Sequence, residues 1–180
     1  MINSDLELPD FKKKIGTNIQ KDAIESIMKL GQIFQKPTLT GLAKTCGWAA
    51  KLSPVGLQNL LDNLKQENNP NVLVGFDTND DAGVYLVNSE LAVVSTVDFI
   101  TPPVDDPFIF GQIAAANSLS DIYAMGGTPF GCLNLVAFPS DKLGPEVLEG
   151  ILAGALERIQ AADAALLGGH STEDEEPKFG

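Results

Sequence analysis

The order of short apolar segments and longer helical patterns most constrains the fold of this chain. From residue 53 onward the pattern predicts a helix, three strands, a helix, a strand, a helix and a final strand. The three strands cover residues 72–74, 82–87 and 91–97, and Asn88-Ser89-Glu90 suits a hairpin between the last two. Strands joined by hairpins and covered by helices are typical of α+β domains. We therefore predict an α+β fold with a mixed, largely antiparallel sheet covered by helices.

Two longer helices are predicted in the second half of the chain. The first covers residues 108–125 and ends at Gly126-Gly127, since glycine commonly terminates helices. The second begins at Gly144-Pro145 and carries apolar residues on one face. A buried strand is predicted at 130–138, and a short last strand at 164–167 leads into Gly168-Gly169-His170. We expect these glycines and the histidine to form a loop after that strand.

The sequence before residue 53 is predicted to contain two further parts. Residues 1–36 are assigned to an N-terminal helical extension of unknown role, because apolar residues recur at spacings of three and four before Pro37. Residues 37–52 are assigned to a mobile loop, since 38–47 are rich in glycine, threonine and lysine. Ser53-Pro54 suits a helix start, with serine as the cap and proline in the first position. Residues 53–180 form the predicted main domain.

The composition excludes several classes of function. The 180 residues carry a net charge of −12, so nucleic acid is not expected as a partner. Two cysteines, Cys46 and Cys132, provide neither a disulfide framework nor a cysteine-based zinc site. The sequence contains no signal-peptide pattern and no apolar stretch as long as a transmembrane helix, so no membrane is expected as a partner. These features favour a cytoplasmic protein.

Four aspartates occupy positions that suit a metal site. Asp80 and Asp81 precede the strand predicted at 82–87, Asp98 follows the strand at 91–97, and Asp121 lies in the helix at 108–125. Carboxylates are preferred ligands of Mg²⁺, which usually bridges a protein to phosphate groups. A cation would relieve the repulsion between the adjacent Asp80 and Asp81, although aspartates are also common in turns without any ligand. The pattern indicates either phosphoryl transfer or ordinary turns.

Asn117 and Asp121 are four residues apart in the predicted helix and therefore share one face. Their neighbours in the helix are mainly alanine, leucine and isoleucine. A carboxylate on a largely buried helix is costly unless a partner compensates for its lost hydration. The sequence predicts either a buried hydrogen bond or a bound metal at Asp121.

Cys46 is the candidate reactive thiol. Lys44 and Lys51 lie close to it in sequence, and nearby positive charge favours the thiolate. A free cysteine is, however, more often a small buried apolar residue, and we assign Cys132 to that class. The glycine pair Gly168-Gly169 likewise has a functional and a purely structural interpretation. It could admit phosphate oxygens to the backbone N–H groups, or it could form a plain turn.

Taken together, these segments resemble selenophosphate synthetase (selenide, water dikinase), within the wider family that includes aminoimidazole ribonucleotide synthetase. The resemblance covers about residues 39–180. Five stretches carry it: Thr45-Cys46-Gly47-Trp48-Ala49-Ala50-Lys51-Leu52-Ser53-Pro54, Asp80-Asp81-Ala82, Ser95-Thr96-Val97-Asp98-Phe99, residues 110–127 and Gly168-Gly169-His170-Ser171. It implies ATP-dependent synthesis of selenophosphate from selenide and water, with AMP and orthophosphate as the other products.

The resemblance also implies roles for individual residues. Cys46 and Lys51 match the catalytic positions. Nucleotide binding is implied for Lys51, Asp98, Asn117, Gly168, Gly169, His170 and Ser171, and Mg²⁺ binding for Asp80, Asp81, Asp98 and Asp121. Some relatives carry a second cysteine shortly after the first, where this chain has Trp48 and alanines.

Members of the family are homodimers in which the N-terminal halves pair strands into a shared β-barrel. The second half of the family is absent from this sequence, so we expect a fragment with weak or no turnover alone. One alternative is a related ATP-dependent kinase or synthetase of the same superfamily. The other is a non-catalytic dimerisation module.

Overall fold

A computed structural model describes residues 36–45, 54–64 and 68–180, together with the single positions Lys21, Glu25 and Leu52. The chain divides into two compact units, Met1–Lys36 and Pro37–Gly180, and the second holds all of the described residues except Lys21, Glu25 and Lys36. Lys21 and Glu25 are helical, and the remainder of the predicted N-terminal extension before Lys36 lies outside the described residues. Cys46 and Lys51 lie outside them as well.

The described residues of the first half of the second unit form two short helices and a three-stranded sheet. Helix α1 is Leu39–Leu42 and helix α2 is Pro54–Leu61. Strands β1 (Val72–Val74), β2 (Gly83–Asn88) and β3 (Leu91–Ser95) pair antiparallel in the order β1-β2-β3. The hairpin is closed by Asn88, whose side chain accepts hydrogen bonds from the N–H groups of Glu90 and Leu91 at 2.9 and 3.0 Å.

The second half of this unit contains two long helices and a second three-stranded sheet. Helix α3 is Pro107–Ala124, strand β4 is Gly131–Phe138, helix α4 is Pro145–Ala161, strand β5 is Ala165–Glu173 and strand β6 is Lys178–Phe179. The sheet order is β5-β4-β6, with β5 parallel and β6 antiparallel to β4. Helix α4 is therefore the crossover that parallel strands require.

The core lies where α3 and α4 pack beside β4 and β6. Two glycines allow the two helices to approach closely. A Cβ on Gly111 would lie 1.9 Å from the carbonyl oxygen of Ile151, and a Cβ on Gly154 would lie 1.9 Å from that of Phe108. The buried apolar side chains of this core include Phe110, Val136, Phe138, Ile151, Ile159 and Phe179. Each contributes roughly 1.5–3 kcal/mol through burial.

The α+β prediction is confirmed, and the strands divide between two sheets. The helix predicted at 108–125 is observed at Pro107–Ala124, and Asp106 caps it by accepting from the Ile109 N–H at 2.9 Å. For the strand predicted at 164–167 the C-terminal end was wrong, because β5 continues to Glu173. Local glycine content indicated a loop, but pairing with β4 keeps this segment extended. Strand β6 was not predicted, since two residues are too short for a periodic pattern.

Candidate active site

A line of polar side chains, which we call the polar seam, joins the end of β3 to α3. Its members are Thr96, Asp98, Asn117 and Asp121. The chain leaves β3 at Ser95, so Thr96 and Asp98 follow the strand directly, while the four-residue spacing places Asn117 and Asp121 on one face of α3. Asn117 Nδ2 donates a hydrogen bond to Asp98 Oδ2, and Thr96 Oγ1 donates to Asp121 Oδ2 at 2.9 Å. All four residues are half-buried.

Asp121 has the hydrogen-bond partner that the sequence offered as one of two possibilities. The carboxylate is compensated by a hydroxyl hydrogen bond from a neighbouring strand end. The backbone carbonyl of Asp81 also lies 3.5 Å from Thr96 Oγ1. Because a hydroxyl carries one proton and the 2.9 Å contact is far shorter, Asp121 is its main acceptor. Thr96 nevertheless brings Asp81 next to the seam.

Asp80 and Asp81 line a shallow groove beside the seam. The groove has a volume of about 310 Å³, and Gly75, Phe76, Asp80, Asp81, Ala82, Gly83, Ser95, Thr96 and Val97 line it. Both aspartates are exposed, whereas the next residue, Ala82, is buried. The groove therefore places two exposed carboxylates near the hydroxyl that binds Asp121.

The four predicted metal-binding aspartates fit Mg²⁺ by chemistry but do not form a closed cage. Within the described part of the chain, no group of three or more His, Cys, Asp or Glu side chains is placed to hold a metal ion. The ion pairs recorded there involve Glu157, Asp174 and Glu176. Mg²⁺ usually binds through one or two carboxylates together with substrate phosphates and water. Asp98, Asp121 and the Asp80–Asp81 pair suit that shared form of binding.

The predicted phosphate-contact residues lie in the exposed strand β5 and do not form a turn. Gly168 pairs with Leu133 across a register shift and has φ 145°, a value that favours glycine. Gly169 lies so close to β4 that a Cβ would be 2.2 Å from the carbonyl oxygen of Asn134. His170 and Ser171 follow in the same strand and are exposed. The two glycines thus allow β5 to pair closely with β4, because a side chain at Gly169 would collide with β4 and the φ of Gly168 favours glycine.

Of the two cysteines, the structure describes Cys132. This residue is half-buried against the core, as expected, and burial raises the pKa of its thiol. A raised pKa disfavours the reactive thiolate. Cys132 thus offers no thiolate that is favoured by its surroundings, and Cys46 stays a candidate on the sequence alone.

Thr96 is the residue that sequence reasoning missed. It stands in the Ser95-Thr96-Val97-Asp98 motif, yet only Asp98 was assigned a role there. The available signal was the position of this threonine, two residues before the candidate ligand Asp98, where its hydroxyl can support the site. Its partner Asp121 lies 25 positions away, and local patterns do not reveal such a contact.

None of the helices described is both long and apolar enough to cross a membrane.

The sequence matches a known family over the region that contains the seam. Residues 79–180 match the family model described as "AIR synthase related protein, N-terminal domain". The chain belongs to this family. The matched region includes both glycine-mediated contacts, the aspartates and strand β5.

Curated relatives of the family are similar over most of this chain. Selenide, water dikinase of Geobacter metallireducens is 54% identical over 143 residues, which cover 79% of this chain and 42% of the relative. Selenide, water dikinase of Carboxydothermus hydrogenoformans is 54% identical over 142 residues, covering 79% and 41%. The chain therefore spans about two fifths of the length of these relatives.

Solved structures with the same fold include thiamine monophosphate kinases. A crystal structure of a Thermus thermophilus protein has a TM-score of 0.59 and 25% identity, covering 72% of this chain and 43% of that one. Thiamine monophosphate kinase of Aquifex aeolicus has a TM-score of 0.54 and 21% identity, covering 72% and 41%. AaThiL, complexed with AMPPCP and TMP, has a TM-score of 0.59 and 20% identity, covering 73% and 42%. At this identity the last two support the fold alone.

Proposed function

We propose that this chain is the nucleotide-binding part of a selenide, water dikinase. The observation that carries the proposal is the 54% identity to proteins of that name over a region that includes the whole polar seam. The overall reaction would convert ATP, selenide and water into selenophosphate, AMP and orthophosphate. The activity is proposed for the whole protein, and weak or no turnover is expected from these 180 residues alone.

The proposed roles follow from charge and position. Asp98 and Asp121, together with Asp80 and Asp81, would hold Mg²⁺, which would neutralise the phosphate charges of ATP when bound. Asn117 holds Asp98 in place through its amide. A fixed carboxylate is useful here, because preorganised groups cost no rearrangement when charge develops.

The remaining roles rest on the resemblance. Cys46 would act on selenium and Lys51 would neutralise phosphate charge. Gly168, Gly169, His170 and Ser171 would contact the nucleotide, and in a homodimer with a shared barrel these contacts could come from either copy. Selenium chemistry requires a reduced Cys46, which fits the predicted cytoplasmic location.

Phosphorus NMR tests the proposal directly. The chain would be incubated with Mg²⁺-ATP, with and without selenide, under strictly reducing conditions. A chimera in which residues 37–180 replace the matching part of the Geobacter metallireducens enzyme would be assayed in parallel. We expect selenide-dependent AMP and selenophosphate from the chimera. A chimera that folds but stays inactive contradicts the proposal.

Two variants of the chimera sharpen the assignment. Asp98→Asn removes a seam carboxylate and is expected to lower turnover about 100-fold or more, the range typical of a lost electrostatic contact. Asp141→Asn makes the same change at an exposed turn and is expected to leave turnover unaltered. ATP consumption that does not depend on selenide would favour another kinase of the superfamily. A stable dimer without Mg²⁺-dependent nucleotide binding would favour a dimerisation module.

A further inference from the structure

Residues 38–45, which lead directly to Cys46, are held by side chains from two distant parts of the chain. We propose that Thr101, Asp105 and Glu176, which we call the anchor, are positioning residues for Cys46. They fix the backbone as far as Thr45 and so determine where the next residue can meet the substrates. This inference rests on the proposed function, because it assumes that Cys46 takes part in the reaction.

The first contact of the anchor is at Thr40. Asp105 Oδ1 accepts hydrogen bonds from the N–H of Thr40 at 2.8 Å and from its Oγ1 at 2.7 Å. Both hydrogen bonds from Thr40 lower the pKa of Asp105 below its ordinary value, so the carboxylate stays charged. Asp105 precedes the residue that caps α3, and its position is therefore tied to the core helix.

Leu39 adds an apolar contact at the same place. Its side chain is 2% exposed and belongs to the core cluster with Phe110 and Phe179. Residues 38–45 were predicted to be part of a flexible segment. The structure gives a one-turn helix at Leu39–Leu42 with Thr38 as its cap, an element that the polar composition did not indicate.

The second and third contacts are at the end of the described segment. The Lys44 N–H donates to Glu176 Oε1, and Thr101 Oγ1 donates to the carbonyl oxygen of Thr45 at 2.8 Å. Glu176 lies 132 positions from Lys44 and Thr101 lies 56 from Thr45. The N–H and the carbonyl of two successive residues are thus both fixed from outside. Such a pair of bonds restrains the backbone at Thr45, because a hydrogen bond weakens steeply when its length or its donor angle departs from the preferred geometry.

Glu176 is itself held firmly. It is 8% exposed, its N–H donates to Asp174 Oδ1 at 3.0 Å, and its carboxylate pairs with Lys178 Nζ at 3.3 Å. Desolvation by burial raises the pKa of Glu176, but the hydrogen bonds from Lys44 and Lys178 outweigh this effect and leave the pKa below its ordinary value. A buried carboxylate without partners would be costly, which explains why this one is fully engaged. The anchor therefore holds three points of the segment before Cys46: Asp105 binds Thr40, Glu176 binds Lys44 and Thr101 binds Thr45.

The test uses the 180-residue chain and two readouts. Amide hydrogen exchange at Thr40 and Lys44 reports on the anchor itself. The rate at which iodoacetamide alkylates Cys46, with and without Mg²⁺-ATP, reports on the position of the thiol relative to the nucleotide. Cys132 is the internal reference for alkylation, and equilibrium dialysis measures ATP binding separately.

Matched variants distinguish positioning from stability. Asp105→Ala and Glu176→Ala remove the acceptors, whereas Asp105→Asn and Glu176→Gln keep an oxygen that can accept from the same N–H. We expect the alanine variants to raise exchange at Thr40 or Lys44 about tenfold or more and to weaken the protection of Cys46 by Mg²⁺-ATP. The amide variants should stay close to the parent chain in the exchange rates and in the protection of Cys46 by Mg²⁺-ATP. Asp105 is exposed, so its variants remain informative if Glu176→Ala does not fold.

Three results would overturn the inference. Unchanged exchange in both alanine variants would mean that no anchor exists. Faster exchange with unaltered protection of Cys46 would reduce the anchor to a structural role. If the parent chain binds no Mg²⁺-ATP, the proposed function of the chain fails and the positioning role with it, while exchange at Thr40 and Lys44 still shows whether the contacts form.

Discussion

At the residue scale, Thr96 is the side chain that connects the candidate metal ligands. It donates to Asp121 and lies next to the carbonyl of Asp81. Thr96→Val keeps the shape of the side chain and removes this donor. We expect the affinity for Mg²⁺-ATP to fall about tenfold or more, as is usual when a ligand loses its supporting hydrogen bond. Equilibrium dialysis at several Mg²⁺ concentrations measures this change.

Thr96→Ser is the matched control, because it keeps the hydroxyl group. It should bind Mg²⁺-ATP within about twofold of the parent chain, a difference of roughly 0.4 kcal/mol. Equal affinities for the valine and serine variants would show that the hydroxyl has no part in nucleotide binding.

Gly169 illustrates a residue whose importance is steric. An alanine Cβ there would stand 2.2 Å from the carbonyl oxygen of Asn134, so Gly169→Ala must push β5 away from β4. We expect the free energy of unfolding to fall by about 1–3 kcal/mol, the usual range for overpacking. Urea unfolding measures it.

Gly56→Ala is the control for this substitution. Nothing lies within 4 Å of a Cβ at Gly56, which is exposed in helix α2. Alanine there should raise the free energy of unfolding by about 0.5–1 kcal/mol, because it restricts the unfolded chain and favours the helix. A Gly169→Ala chain as stable as Gly56→Ala would show that β5 does not approach β4 so closely.

At the element scale, the contact between α3 and α4 carries a pH-dependent component. Glu157 on α4 accepts a hydrogen bond from Gln112 on α3 at 2.9 Å and pairs with Arg158. Hydrogen bonds from Arg158 and then Gln112 lower the pKa of Glu157 to about 2, from an ordinary value of 4.5. A lowered pKa means that the folded state favours the charged form. The stabilisation is therefore complete above pH 4.5 and is lost as the pH falls towards 2.

Glu157→Gln tests this dependence. Urea unfolding of both chains between about pH 6 and pH 2.5 should show the parent chain to be the more stable at the upper end, with the difference shrinking below about pH 4.5. The difference should be small, since the side chains of Arg158 and Glu157 are 42% and 41% exposed to solvent, which screens the ion pair. A difference that stays constant with pH would mean that Glu157 has the same pKa in the folded and unfolded chains.

The strands show why sequence reasoning succeeded for some elements and failed for others. The hairpin of β2 and β3 was predicted because its strands are adjacent and its turn residues lie between them. Strand β5 was predicted too short, because Gly168 and Gly169 disfavour strands in isolation. Here parallel pairing with β4 overrides the local preference, and the close approach requires glycine.

At the scale of the whole molecule, exposed apolar side chains on the first sheet support the proposed homodimer. The largest of them are Leu73, Tyr85, Val87 and Leu91, each at least 45% exposed. Clusters of this kind commonly mark contact surfaces. If these strands meet those of a second copy, Val87→Lys should weaken the dimer, because the interface would have to bury a charge.

Sedimentation equilibrium measures the dimerisation constant. We expect Val87→Lys to weaken dimerisation about tenfold or more, roughly 1.4 kcal/mol. Leu156→Lys is the control, because Leu156 is an exposed apolar residue on α4, away from this sheet. A parent chain that is monomeric at all concentrations, or equal effects of the two substitutions, would contradict a dimer built on β1–β3.

The sequence by itself determined the α+β class, the two long helices, the hairpin and the resemblance to a family. These features are encoded locally, in the period of apolar residues, in helix ends such as Gly126-Gly127, and in short motifs around Asp80, Asp98 and Asp121. The tertiary structure decided which distant groups meet. It paired Thr96 with Asp121, kept Gly168-Gly169 in a strand, and bound residues 40–45 to Asp105, Thr101 and Glu176. Such contacts join positions 25–132 residues apart, and only the packing of whole elements brings those positions together.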